Sequence, residues 1–442
     1  MKIKLNQASV VKAKLNEIIT DTDINRSQYV VNPDKDFIRN RKLPFKRVIS
    51  FLIEKGASSV QNELLDFFEY KSDTPTVAAL VKQRSKIKLD CFHSIFHNFT
   101  SSFNKLNLKT FKGYRLIAVD GTDILFPTNP KDKNTYVKMK DKKGFNYMHA
   151  TALYDVLNGF YLDTSNDGST KCSERKEFIK LINSCELPQN SLFLADRGFE
   201  AYNSFANLIE KKVKFVFRVK DIHSNQTLSF MNLPDKELDI ISKKMLTRFR
   251  RKGTYPAVPD DVTISCLDRG NLDFFTPEKP YYYLELRIVR FKLNNGDYEA
   301  LITNVLDDEM SVEELKELYH MRWGIETSFR QLKFTIGMRT FHSANPEFVK
   351  QEIMASFILY NFCAIIATLV DMKKNDHKRK KYEYKTNWAT AARICKAYFR
   401  QNSNPIDVEE LIQRFLIPIR PGRSSARKVQ HQKAPNFQNR IA

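Results

Sequence analysis

Cysteine is scarce in this chain and never paired by spacing. Cys91, Cys172, Cys185, Cys266, Cys363 and Cys395 form no CxxC couple and follow no regular interval. That excludes a disulfide scaffold and fits a reduced intracellular protein whose thiols act as small hydrophobes. His93 and His97 stand four apart beside Cys91, but no second Cys or His pair lies near enough to complete a zinc clip. A leader is not expected either, because MKIKLNQASVVKAKLNEIIT contains no continuous apolar core. One long uncharged run exists, IMASFILYNFCAIIATLV at 353–370, at the lower limit for a membrane span. Ser356, Asn361 and Thr368 interrupt it, so a buried core helix is the expectation. Acidic residues are also in short supply: 51 Asp and Glu stand against 72 Lys and Arg, a net charge of +21. Such an excess predicts a polyanionic partner, most often nucleic acid.

What is present is enough for a large core. The 442 residues, 42% of them hydrophobic, allow two to four domains. Residues 1–75 read as helical, with KLNEIITDTDI and PFKRVISFLIEKGASSVQNELLDFFEY carrying spaced apolar positions. Arg39, Arg41, Lys42, Lys46 and Arg47 give this part a basic cluster suited to DNA. Residues 76–112 read as a helical connector. Residues 113–221 then alternate strands and helices, with a hairpin turning at Asn158-Gly159. Residues 222–305 are β-rich, with turns at Pro259-Asp260, Arg269-Gly270 and Asn295-Gly296. The cations Lys243, Lys244, Arg248, Arg250, Arg251 and Lys252 could track a phosphate backbone there, and Phe274, Phe275 and Tyr281 to Tyr283 could stack on a base. Residues 306–372 resume the core. Residues 373–442 hold 17 basic and 5 acidic residues, an excess of twelve, in a mobile run, a helical pair and an extended tail.

The strongest signal lies in YHMRWGIETSFRQLK. Tyr319, Arg322, Glu326 and Lys333 fall within a roughly 60° arc of one helix face at about 100° per residue, and Arg330 points the same way. Met321, Ile325, Phe329, Leu332 and Ile336 make a separate, apolar face. Ser311 and Glu314 form a capping box at the start of this helix. Gly324 inside it calls for a close approach of backbone or DNA, and Trp323 beside the stripe is expected to pack. A lone carboxylate among aromatic and basic groups suits a metal ion beside a phosphate backbone. Two further acids close apolar runs: Asp120 in RLIAVDGTDILFP, where the strand is expected to end, and Asp196 in SLFLADRGF. Asp123, three residues after Asp120 in the same motif, leaves open which of the two is the site acid and which an accessory charge, and Asp163 and Asp167 have no evident role. Two strand-end aspartates and one helix-borne glutamate are hard oxygen donors suited to Mg²⁺ or Mn²⁺. Two such ions roughly 4 Å apart activate a nucleophile and stabilise the leaving oxygen of a phosphodiester.

The pattern DGT…DRG…YxxRxxxExxxxxxK resembles the DDE cut-and-paste transposases of bacterial insertion sequences, in the IS-four-like group named for its YREK signature. The likeness covers about 113–340. It implies an α/β, ribonuclease-H-like mixed five-stranded sheet carrying a β-rich insertion between the second Asp and the Glu, with helical regions at both ends. It implies that Asp120, Asp196 and Glu326 are catalytic and hold two Mg²⁺ ions, with Mn²⁺ able to substitute. It further implies that Tyr319, Arg322, Arg330 and Lys333 contact double-stranded DNA, both terminal inverted repeats and target. A homodimer on DNA in the bacterial cytosol, with second-strand cleavage through a hairpin, belongs to the same expectation. A nuclease of the same fold without strand transfer, or a DNA-binding regulator that has lost catalysis, are the alternatives.

Overall fold

The computed structural model describes residues 7–419 except 40, 105–107, 141, 167–171, 225, 232, 250–254, 268–271, 373–382 and 401–405. The basic run at 373–382 expected to be mobile, most of the C-terminal tail, the turn expected at Arg269-Gly270, Asp167 and the cations Arg250 to Lys252 lie outside the described residues.

Five helices come first: α1 (Gln7–Ile24), α2 (Phe45–Glu54), α3 (Val60–Phe67), α4 (Val77–Arg84) and α5 (Asp90–Asn104). Strands β1 (Arg115–Phe126), β2 (Tyr136–Met139), β3 (Lys142–Asp155) and β4 (Phe160–Ser165) follow. Then come α6 (Glu174–Ser184), β5 (Ser191–Ala195), α7 (Tyr202–Glu210) and β6 (Lys214–Val219). The β-rich segment supplies β7 (Leu238–Thr247), β8 (Val262–Cys266), β9 (Tyr281–Lys292) and β10 (Tyr298–Thr303). Helices α8 (Val312–Met321), α9 (Trp323–Gln331), α10 (Pro346–Met372), α11 (Trp388–Arg400) and α12 (Val408–Arg414) complete the chain. The architecture is a mixed α/β one.

Ten strands join one sheet, in the order β2-β3-β1-β5-β6-β10-β9-β7-β8, with β4 also on β3. The strands β4, β3, β1, β5 and β6 lie in one half of it together with β2. The β-rich segment does not stand apart from it, because β10 pairs antiparallel with β6 and so extends the same sheet. Left-handed glycines make two of the expected turns, Gly159 (φ +77°) and Gly296 (φ +92°).

One expectation is corrected by the register. The strand carrying Asp120 does not end there; β1 runs on to Phe126. Gly121 to Phe126 stay paired with β3, from Gly121↔Thr151 to Phe126↔Asn146. The parallel pairing with β5 does stop, at Val119↔Ala195. Asp120 therefore sits where one neighbouring strand ends and the other continues.

Helix α10 is long and apolar enough to cross a membrane by length and composition, yet it is mostly buried inside this fold. It packs on α1, α2, α5, α11 and β4. The polar residues that interrupt it are all used. Asn361 Nδ2 donates to Tyr161 O at 2.7 Å and to Thr100 Oγ1 at 2.9 Å, while its Oδ1 accepts from Tyr161 N at 2.9 Å. Thr368 donates to Asn158 O at 2.6 Å and Ser356 to Glu352 O at 2.8 Å. Replacing Asn361 with Leu strands the backbone groups of Tyr161, and a buried unmade hydrogen bond costs about 1–3 kcal/mol. Urea unfolding of N361L is expected to show that loss, with an unchanged midpoint as the contrary result.

Candidate active site

Two adjacent parallel strands fix the first two acids. Val119 and Ala195 are register partners, so Asp120 and Asp196 are the next residues on neighbouring chains. Each carboxylate is steadied by a nearby backbone N–H: Gly121 N donates to Asp120 Oδ1 at 2.8 Å, and Gly198 N to Asp196 Oδ1 at 2.8 Å. Strand ends of this kind are where ligands gather in α/β sheets.

The third acid arrives on a helix that packs on β1. The capping box at Ser311 is formed, with Glu314 N donating to Ser311 Oγ at 3.3 Å and Ser311 N to Glu314 Oε2 at 2.9 Å. The helix is not continuous, however. Its hydrogen bonding breaks at Arg322 between α8 and α9, and α9 runs into a π turn over Leu332–Ile336. The close approach expected at Gly324 exists, but the neighbour is a side chain. A Cβ there would meet Val156 Cγ1 at 3.1 Å. Trp323 does not pack as expected; it is 43% exposed.

Arg322 links the acids. Its Nη2 donates to Glu326 Oε1 at 2.7 Å, and its Nη1 lies 3.6 Å from Asp120 Oδ2. The side chain is buried, and its Nε has no hydrogen-bond partner among the described residues. Asp120 is pushed up to about 7, chiefly by burial; the Gly121 N–H and Arg322 oppose the rise, and the charges of Asp196 and Glu326 add to it. The three carboxylates therefore interact. Among the described residues no group of three His, Cys, Asp or Glu is already gathered to hold a metal ion. The Arg322 guanidinium serves as counter-charge to two of the three.

The rest of the stripe divides. Tyr319 is buried, its hydroxyl has no hydrogen-bond partner among the described residues, and burial raises its pKa. Lys333 sits in the π turn and donates to Asp123 O on β1 at 2.8 Å; burial lowers its pKa. Arg330 is exposed on α9. A cavity of about 490 Å³ opens beside α8, lined by Tyr319, Arg322, Trp323, Lys316, Arg218 and Phe291. In the β-rich segment the internal uses win. Lys244 is buried and donates to Ser265 Oγ at 2.9 Å, and Lys243 pairs with Asp261 at 2.8 Å. Tyr282 is buried with its hydroxyl on Glu210 at 2.6 Å, whereas Tyr283 is 45% exposed.

Sequence reasoning missed His149 and Glu174. His149 faces Asp123 across the β1–β3 register, with Nδ1 2.8 Å from Asp123 Oδ1 and Nε2 3.1 Å from Glu174 Oε1. Burial lowers its pKa, but the two carboxylates outweigh that and raise it to about 9. The imidazole is thus a cation at neutral pH. Spacing could not reveal the group, since the contacts join a strand, a distant strand and a helix start.

Volume at Gly324 is testable. Valine there overpacks against Val156, and such overpacking costs typically about 1–3 kcal/mol. Adding Val156→Ala to G324V should restore part of the loss in a double-mutant cycle; strict additivity would show that the two do not share this space.

Comparison with known proteins gives a consistent set. The family described as transposase DDE domain matches residues 111–362. The chain is 26% identical over 183 residues to the putative transposase y4zB of Sinorhizobium fredii (strain NBRC 101917 / NGR234), covering 41% of this chain and 44% of that protein. It is 33% identical over 66 residues to the putative transposase InsL for insertion sequence element IS186A of Escherichia coli (strain K12), covering 15% and 18%. It is 23% identical over 169 residues to the probable transposase for insertion sequence element IS5377 of Geobacillus stearothermophilus, covering 38% and 37%. The matched parts thus span less than half the length of each of these relatives. Among solved structures, the piggyBac transposase synaptic complex with hairpin DNA aligns over 95% of this chain and 87% of that one, at 10% identity and a TM-score of 0.45.

Proposed function

Because the chain belongs to the transposase DDE-domain family, we propose that it is the transposase of a bacterial insertion sequence, of the YREK-signature group, acting by cut-and-paste. The observation that carries this reading is that Asp120 and Asp196 follow the last register pair of β1 and β5 while Arg322 bridges Asp120 and Glu326. The strand order β4-β3-β1-β5-β6 supports a ribonuclease-H-like core.

The donor set fits a hard divalent cation. All three side chains offer carboxylate oxygens, and Asp120 already feels the charge of the other two, a repulsion that a cation relieves. Asp120, Asp196 and Glu326 would hold two Mg²⁺ ions, or Mn²⁺ in their place. When bound, such ions supply an activated attacking oxygen and stabilisation of the leaving oxygen of a phosphodiester.

The protein's own groups do the rest. Water attacks the phosphorus at the element's end, breaking one P–O bond to leave a 3′-hydroxyl and a 5′-phosphate. That hydroxyl then attacks a target phosphodiester, so one P–O bond forms as another breaks and no protein nucleophile is needed. Arg322 counters the carboxylates before DNA arrives and keeps Nε free to donate to a phosphate oxygen. Lys333, anchored to β1, adds a second cation near the cut, and Arg330 extends this contact outward. Tyr319, lining the cavity with an unsatisfied hydroxyl, positions the terminal nucleotide. A hairpin at the element's end would serve the second strand.

The domain division follows the same reading. Residues 1–75 grip DNA, with Arg39, Arg41, Lys42 and Arg47 exposed. Residues 76–112 connect, 113–221 and 306–372 form the catalytic core, 222–305 widen its sheet, and 373–442 add a basic C-terminal region. Two ends must be held together, so the complex on DNA is a homodimer.

The test is cleavage of DNA carrying the ends of the protein's own element. Cutting in Mg²⁺ that EDTA and Glu326→Gln each abolish is the expected outcome. Tight binding of the ends with no cutting in Mg²⁺ or Mn²⁺ would instead identify a silent DNA-binding descendant.

A further inference from the structure

The glycines of the two aspartate motifs have a shared structural cause. A Cβ on Gly121 would fall on the Glu174 carboxylate and the His149 ring. A Cβ on Gly198 would lie 2.9 Å from Asp196 Oδ1 and 3.4 Å from Glu174 Oε2. The two positions therefore leave room for one side chain, Glu174, whose second oxygen borders the same space beside Gly198 as the Asp196 carboxylate. The start of α6 is pinned to the same turn, because Arg175 Nε donates to Gly198 O at 2.9 Å. On the other side His149 Nε2 stands 3.1 Å from Glu174 Oε1, and His149 Nδ1 is held 2.8 Å from Asp123 Oδ1. Asp123 is in turn tied through its carbonyl to Lys333 at the end of the catalytic helix.

An ordinary surface glutamate has no such cradle. Its side chain needs neither missing Cβ atoms on a strand and a turn far apart in sequence nor a fixed imidazole. Here one carboxylate oxygen stands beside His149, and the other lies in the space left by Gly198, which the Asp196 carboxylate also borders. The carboxylate is still 38% exposed, so it remains open to a ligand in the cleft.

We propose that Glu174 is a fourth carboxylate of the active site and joins Asp196 in binding a divalent cation, with His149 as the positioning residue that fixes it. The inference rests on the metal-dependent reading given above. It assigns a role to a residue outside the aspartate, aspartate and glutamate motifs. It also explains why alanine cannot replace either motif glycine without displacing an acid of the site.

The test is Mn²⁺ binding to the full chain without DNA, followed by electron paramagnetic resonance. Residues that hold metal ligands in place typically change affinity about 10–100-fold when altered. Glu174→Gln is expected to weaken Mn²⁺ at least tenfold. His149→Ala should weaken it comparably, and His149→Gln, which keeps a donor toward Glu174, should recover most of the loss. Thermal melting of each variant separates this from unfolding. Affinity within twofold of wild type in Glu174→Gln, while Asp196→Asn loses binding, would overturn the fourth-carboxylate inference and leave the metal site standing. An unchanged Mn²⁺ affinity in His149→Ala alongside a lowered melting temperature would reduce His149 to a structural role and overturn its assignment. Failure of the wild type to bind Mn²⁺ at all, or equal binding in Asp196→Asn, would overturn the metal reading and this inference together.

Discussion

The parallel register of β1 and β5 is the constraint on which the rest depends. Val119 opposite Ala195 leaves Asp120 and Asp196 as the next residues on neighbouring strands. Because side chains alternate along a strand, a slip of one residue would turn each acid to the opposite face. The register is secured by burial on both faces: Leu116 to Val119 and Leu192 to Ala195 are all fully buried. β1 gains further support by continuing its pairing with β3 past the end of β5. The acids are therefore held by the core itself.

Charge compensation runs through the same architecture. Gathering carboxylates in a half-buried cleft is costly unless cations balance them. Arg322 performs this for Asp120 and Glu326, and His149 for Asp123 and Glu174. A second buried network joins the N-terminal helices to α10. Glu352, fully buried, accepts from Arg84 at 2.8 Å and from Lys55 at 3.1 Å. Burial alone would raise the Glu352 pKa, but those two cations and His342 hold it well below the usual carboxylate range. Helix α10 is thereby fastened to the helices that carry the proposed DNA-gripping cluster.

The sequence made much of this legible. Apolar runs ending in Asp120 and Asp196, the Ser311 capping box and the Gly159 and Gly296 turns are local signals, and each corresponds to a formed element. The polar interruptions of α10 correctly marked it as core, since a partner waits for each. Nonlocal pairing hid the remainder. Gly121-Thr122-Asp123 looks like a turn until β3 is known to lie opposite it. The β-rich segment looks separable until β10 is seen to add to β6. Arg322, where the helix breaks, pairs with Asp120 far back in the chain as well as with Glu326 one turn on, and the reason for Gly324 is Val156, far back in the chain. His149 and Glu174 escaped notice for the same reason: strand register and the Gly198 turn bring them together, and neither is visible in spacing.

The proposed function stands on Asp120, Asp196 and Glu326 forming one cation-binding centre across β1, β5 and α9. Localised oxidative cleavage tests it most directly. Fe²⁺ is exchanged into the protein, ascorbate and peroxide generate hydroxyl radicals at the bound ion, and the broken backbone is mapped by mass spectrometry. Three clusters of cuts are expected, around 120, 196 and 326, all suppressed by excess Mg²⁺ and by Asp196→Asn. Cuts concentrated elsewhere, or at only one of the three segments, would contradict it.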